Sequence, residues 1–485
     1  MNGGDLPTHG GMVLDIFYNG KINFDINFYP LTHLLAFSIS SLSNIGYIDS
    51  VKILSPIFSL LLPLYLYILA KEITDNRFVQ NLTFLISSTF YFSSLFQPNS
   101  ITTPMALSFL MLPLLFFLLI KSNHTSQKTL SLTICLILSF STYVFFHPLT
   151  SFMLVLSFAL LYVIEKSMKI QFIHRGTLFF SCAVSAYIFY LTIIWVRPVQ
   201  NIYSFLLWYR HRLGYAVDIK EQLGKLGLTG IELAIFFIKT FGHQTLLLLL
   251  SLISVISILL GRKRKKLNAW FLIISAFSLV SGILLFVQLV FPSAINISSF
   301  RFLAYLLVFT PLLSSLYLST LRKKILVIPI LLFLFINSLL IVYPSPYVHK
   351  VNTQVTRMDL YGSQWILDNK KSDVGLSGYF GCGITKRMIS GLIPYSQYFD
   401  ERYIIWQDEK SAIPDHLGYE ENSYICDTFQ EERYLIINKY DIVAYTQVYR
   451  NLGRISLEDI RKLKNDYTIL FVYDNGEYEV FYTSR

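Results

Sequence analysis

The sequence predicts a polytopic α-helical membrane protein with a C-terminal α/β domain outside the membrane, and three observations carry that expectation. Of 485 residues, 54% are hydrophobic and 14% charged, where ordinary soluble domains carry roughly a quarter charged residues. Ten stretches are long and apolar enough for about 30 Å of hydrocarbon. Charge is also divided along the chain: residues 1–343 hold 24 Lys/Arg against 10 Asp/Glu, and residues 344–485 hold 16 against 20. A basic membrane part thus precedes a mildly acidic domain, and the net charge of +10 gives no argument for nucleic acid as a partner.

In chain order, residues 1–50 are read as an external N-terminal segment with a juxtamembrane helix, 51–343 as the membrane domain, and 344–485 as the α/β domain. The spans fall near 51–70, 78–96, 101–120, 129–146, 149–164, 176–196, 243–261, 269–291, 301–319 and 325–343. Residues 28–48 are interrupted by Pro30, His33 and several Ser and Asn, so a juxtamembrane or re-entrant helix fits there better than an eleventh span. Lys71/Arg77, Lys121/Lys128, Lys166/Lys169/Arg175, Arg262–Lys266 and Arg322–Lys324 occupy every second loop. The positive-inside rule makes those loops cytoplasmic, which places the N-terminal segment, the 197–242 loop and the C-terminal domain outside. Met1 stands directly before the first polar motif with no signal sequence, so either the first span carries this segment across or an upstream helix does.

Tyr343-Pro-Ser-Pro346 ends the last span. Beyond it, Met358–Asn369 and Leu457–Leu463 read as helices, and Val374–Ser377, Asp441–Tyr445, Tyr467–Tyr473 and Glu477–Tyr482 as strands. Asp474-Asn475-Gly476 supplies the turn of a hairpin between the last two. Cys135 and Cys182 lie in spans as small apolar packers, whereas Cys382 and Cys426 share the external domain, where an oxidising compartment permits a disulfide. No Cys/His spacing resembles a zinc site, and no phosphate-binding Gly loop or internal repeat is present.

Residues able to do chemistry concentrate in three places. Gly4-Asp5-Leu-Pro-Thr-His9 and Tyr29-Pro30-Leu-Thr-His33 both precede the first long apolar span. A partly desolvated Asp5 acts as a general base if its pKa is raised; a solvated or capping carboxylate is the alternative, and is the reading taken for Asp15 and Asp25. His9 follows Asp5 by four residues, so a helix puts both on one face, suited to substrate or metal binding or to interfacial polar packing. The second place is the 197–242 loop, where Arg197, Arg210, His211, Arg212, Lys220, Lys225 and Lys239 stand among Tyr203, Trp208 and Tyr209. Guanidinium groups grip phosphate in bidentate fashion, while an amphipathic helix resting on anionic headgroups explains the same residues. Arg301 is the third: it opens the ninth span, as a lipid-phosphate ligand or a snorkelling anchor. His147-Pro148 reads as the turn of a helix hairpin.

Together the two polar motifs resemble the first external loop of the GT-C superfamily, multispan glycosyltransferases that use polyprenyl-phosphate-linked sugars. The ending Val472-Tyr473-Asp-Asn-Gly476-Glu-Tyr-Glu-Val-Phe-Tyr482 is similar to endings of archaeal and other prokaryotic members with an external C-terminal domain. The resemblance implies an inverting transferase with Asp5 as base, and with His9, His33, Arg210, Arg212 and Arg301 binding substrate. It also implies a polyprenyl-phosphate-linked sugar donor and a lipid, glycan or protein acceptor; the superfamily does not uniformly need a metal, and with no evident carboxylate cluster no metal or cofactor is expected. The acidic pair common in protein O-mannosyltransferases is missing, since Leu6 follows Asp5. A lipid-linked glycan transporter or flippase uses the same Arg and aromatic residues without chemistry at Asp5, and a non-catalytic scaffold gives the N-terminal motifs no role.

Overall fold

Seven helices among the described residues are long and apolar enough to cross a membrane: Tyr47–Ile73, Pro104–Ser122, Leu149–Ser167, Gly230–Leu260, Ala269–Leu289, Arg301–Thr320 and Lys324–Ile341. The structure, a computed structural model, describes residues 6–24, 26–27, 29–92, 104–124, 130–168, 227, 230–260, 269–290, 299–342, 345, 351–352, 354–399, 413–421, 423–429 and 431–483. In sequence the helices are α1 (Leu6–Asn19), α2 (Leu31–Ser43), α3 (Tyr47–Ile73), α4 (Arg77–Ser88), α5 (Pro104–Leu110), α6 (Leu112–His124), α7 (Leu130–Phe146), α8 (Pro148–Met168), α9 (Gly230–Leu260), α10 (Ala269–Val290), α11 (Ser299–Leu307), α12 (Thr310–Thr320) and α13 (Val327–Val342). Two expected spans are the shorter helices α4 and α7, of 12 and 17 residues, and the one near 176–196 lies outside the described residues. The expected juxtamembrane helix is α2, whose 13 residues are too few to span. α9 begins at Gly230, so Lys239 belongs to this helix and not to the loop assigned from sequence.

Large apolar side chains stand exposed at intervals of three or four residues: Leu60, Leu64 and Ile68 on α3, Leu279, Ile283 and Phe286 on α10, Ile328, Leu332 and Ile336 on α13. Such spacing draws one apolar stripe per helix, the face that hydrocarbon covers. Inside, Phe109, Phe116, Phe277, Tyr305 and Phe309 interlock with ring centroids 4.6 to 6.2 Å apart, joining α5 and α6 to α10, α11 and α12. Small polar residues draw α9 and α12 together, Ser251 Oγ donating to Thr310 O at 3.2 Å and meeting Ser314 Oγ at 3.2 Å.

The C-terminal domain holds α14 (Arg357–Asn369), β1 (Gly375–Gly378), α15 (Phe380–Leu392), β2 (Arg433–Asn438), α16 (Lys439–Val443), α17 (Leu457–Asn465), β3 (Ile469–Asp474) and β4 (Tyr478–Thr483). Its sheet runs β1-β2-β4-β3, with β1 parallel to β2 and the other pairs antiparallel. The expected hairpin joins β3 to β4 through Gly476 at φ +87°, a conformation only glycine adopts cheaply. The expected strand at Asp441–Tyr445 is instead helical. Asn438 and Asp441 form a capping box that starts α16, and a π-turn follows at Ala444–Val448. The strand lies just before it, at Arg433–Asn438. Cys382 and Cys426 are both free thiols, so the disulfide that the sequence left open is not formed. They belong to different parts of the domain: Cys382 is packed with Leu376, Ile389 and Val480, whereas Ile425, beside Cys426, packs with Leu435 and Phe481.

Candidate active site

α1 presents its residues to two partners at once. One side of the helix meets α15 of the C-terminal domain through glycines. A Cβ on Gly11 would overlap the carbonyl of Ser390, and one on Gly391 would lie 2.5 Å from Pro7 O. Thr8 Oγ1 meets Ser390 Oγ at 3.0 Å, Tyr395 N donates to Gly11 O at 3.1 Å, and Tyr47 Oη donates to Gly391 O at 3.0 Å. Asp15 belongs to this seam, its carboxylate accepting from Asn19 Nδ2 at 3.0 Å, from Ser396 N at 3.1 Å and from Ser396 Oγ. A carboxylate so engaged is structural, but it is buried in the seam and not solvated or capping as read from the sequence.

α1 also carries His9, which joins a nest of rings. His9 Nδ1 lies 3.0 Å from His33 Nε2 on α2, and His33 Nδ1 lies 2.8 Å from Asn27 Oδ1. Tyr29 packs against all three nearby imidazoles, 6.3 Å from His9, 6.1 Å from His33 and 5.4 Å from His147 between ring centroids. His147 sits in the α7–α8 connection, where its Nδ1 accepts from the Leu149 N–H at 3.2 Å. Although it keeps some exposed surface, protein closes around the ring, and that burial, with the charges of Arg301 and His9, pushes its pKa down to about 3. The same electrostatics ties Arg301 to this nest. One turn below Arg301, Tyr305 Oη meets Thr150 Oγ1 at 2.5 Å, and Thr150 Oγ1 in turn meets Ser108 Oγ.

Of the residues expected from sequence, the structure brings His9 and His33 into contact and sets Arg301 within electrostatic reach of His147. Asp5, Asp25, Arg210 and Arg212 lie outside the described residues, Asp5 directly ahead of α1. Asn27, His147, Tyr305, Thr150 and Ser108 were not expected as site residues. His147 carried a usable signal, an ionisable side chain at a helix end level with Arg301, which the adjoining Pro148 disguised as a plain turn. Among the described residues no group of three or more His, Cys, Asp and Glu is arranged to hold a metal ion.

No protein-family model matches the sequence, and no curated protein matches it. Solved structures do match in shape. ArnT from Cupriavidus metallidurans bound to undecaprenyl phosphate superposes with a TM-score of 0.52 at 10% identity, over 99% of this chain and 94% of that one. The chain has the fold of these proteins. The Archaeoglobus fulgidus oligosaccharyltransferase in its apo form gives 0.56 at 12% identity, over 100% of this chain and 71% of its own. AglB from the same organism, with an inhibitory peptide and a dolichol-phosphate, gives 0.55 at 11% identity over the same shares. Both are membrane transferases of the GT-C type, the superfamily that the N-terminal motifs resemble.

Proposed function

We propose that this protein is a membrane glycosyltransferase that moves a sugar from a polyprenyl-phosphate carrier to an acceptor hydroxyl at the outer membrane face, with inversion. The observation that carries the reading is the nest of His9, His33, Tyr29 and His147 beside Arg301 in a fold shared with ArnT and AglB. Its location supports the same reading. α3 runs from Tyr47 near the nest to Lys71, α8 from beside His147 to Lys166, and the Arg301–Thr320 span from Arg301 toward Arg322. The nest thus stands at the helix ends opposite the basic loops, outside by the positive-inside rule.

In this mechanism Asp5 takes the proton of the acceptor hydroxyl, whose oxygen attacks the anomeric carbon from the face opposite the carrier. The bond from that carbon to the phosphate oxygen breaks, and the carrier phosphate leaves as an anion. Arg301, with Arg210 or Arg212, stabilises the leaving charge. The test is incubation of the purified protein with labelled polyprenyl-phospho-sugars and acceptor, with Asp5→Asn alongside. Transfer by the parent and a loss of about 10²–10⁴-fold in Asp5→Asn are expected, the range for removing a general base. Movement of the lipid-linked sugar across vesicles with no transfer makes the protein a carrier instead.

A further inference from the structure

His147 stands between α7 and α8, directly before Pro148, the first residue of α8. Proline brings no N–H, so the first amide that the helix start leaves unpaired is that of Leu149, and His147 Nδ1 accepts from it across 3.2 Å. The ring thus caps the helix, as an Asn or Ser side chain does elsewhere. A nitrogen that accepts carries no proton, which puts the single proton of the neutral imidazole on Nε2, at the tip of the ring. The cap also keeps the ring neutral, because a second proton on Nδ1 would set two donors against each other and undo the start of α8. Burial, then the charges of Arg301 and His9, push its pKa down to about 3, in agreement.

α8 and the Arg301–Thr320 span set Arg301 and His147 at one level. Tyr305 Oη and Thr150 Oγ1 meet at 2.5 Å. Thr150 lies three residues after His147 and Tyr305 four after Arg301, and both helices run from there toward the basic loops. Arg301 and His147 therefore each stand about one turn beyond the same contact, at the ends where their spans begin. His147 keeps part of its surface open there. A guanidinium and an imidazole tip of this form only donate, and an ionised phosphate only accepts. We infer that His147 Nε2–H donates to a non-bridging oxygen of the carrier phosphate, beside Arg301. The inference rests on the transferase reading and adds a residue to the same site. As the bond to the anomeric carbon breaks, the phosphate gains negative charge and the contact strengthens, with no proton transferred.

The experiment is ring ¹H–¹⁵N correlation on the full chain, labelled at histidine and held in phosphatidylcholine nanodiscs, alongside transfer kinetics. The parent His147 is expected as Nε2–H, and that proton should move downfield when undecaprenyl phosphate is added, but not with phosphatidylglycerol or inorganic phosphate. His147→Asn keeps an acceptor for the Leu149 N–H and is too short to place a donor where Nε2 stood. It should lower kcat/KM for the lipid donor roughly tenfold to a hundredfold, the loss of a hydrogen bond to a charged group, with a melting temperature near the parent's at neutral pH. A residue that only caps α8 predicts full transfer by His147→Asn, and that result overturns the inference. So does a parent proton on Nδ1, no movement with undecaprenyl phosphate, or an equal movement with phosphatidylglycerol or inorganic phosphate. A parent that transfers no sugar yet shows the movement with undecaprenyl phosphate alone refutes the transferase reading and leaves the phosphate contact standing.

Discussion

Arg301 and Lys239 make a controlled pair for weighing single charges, one at the nest and the other within α9. Arg301→Ala should weaken use of the lipid donor by about tenfold to a hundredfold, the equivalent of roughly 1.5–3 kcal/mol for a charge-assisted hydrogen bond, and Lys239→Ala much less. Equal, small losses in donor titrations would leave Arg301 as an anchor in the headgroups. His147 yields a stability prediction with a definite sign. Its folded pKa of about 3 lies below its unfolded value, so its contribution is complete above about pH 6.5 and is lost as the pH falls from there toward 3. His147→Asn keeps an acceptor for the Leu149 N–H and should flatten the acid side of a melting-temperature profile in that window; parallel profiles would show that His147 charges freely. His9 and His33 were legible in sequence because polar motifs ahead of an apolar span are unusual. Asn27 and His147 were not, since their meaning comes from three elements meeting in space.

Among elements, the contact between α1 and α15 is the most exacting. Gly391 lies against Pro7, while Gly383 on the same helix has nothing within 4 Å of its Cβ position. Gly391→Ala should therefore push α1 away from α15, with the 1–3 kcal/mol typical of overpacking and a matching fall in transfer. Gly383→Ala should be neutral or stabilising. Thermal melts and transfer rates of the two variants, if indistinguishable, would dissolve the idea that the seam holds α1 in place. The hairpin of β3 and β4 and the helices α14 and α17 were legible because turn chemistry, capping boxes and periodicity are local signals. The strand mistaken at Asp441–Tyr445 has the composition of one. Its helix is set by hydrogen bonds from the Asn438 N–H to Asp441 Oδ2 and from the Asp441 N–H to Asn438 Oδ1, which composition does not reveal.

For the whole molecule, the division into a bundle of apolar helices and a sheet-containing domain was legible from hydropathy and charge, because a bilayer imposes length and composition on every span. How the two parts join was not: the seam is built by Thr8, Gly11, Asp15, Ser390, Gly391 and Ser396, none of which advertises a distant partner. The proposed orientation predicts a labelling pattern in intact cells. Cysteines placed at Asn123 and Leu267 should resist an impermeant thiol reagent, while one at Ser372 should react. Modification of the first two positions would invert the arrangement.

Thr8 and Ser390 are 382 residues apart in the chain, yet they touch. At the 5–20 residues per second of protein synthesis, roughly 20 to 75 seconds separate the making of α1 from the making of the surface it rests on. During that interval the ribosome and the insertion machinery hold an N-terminal helix whose glycine face is bare. The seam is in this sense timed by the length of the chain, closing only after the described membrane helices have been made.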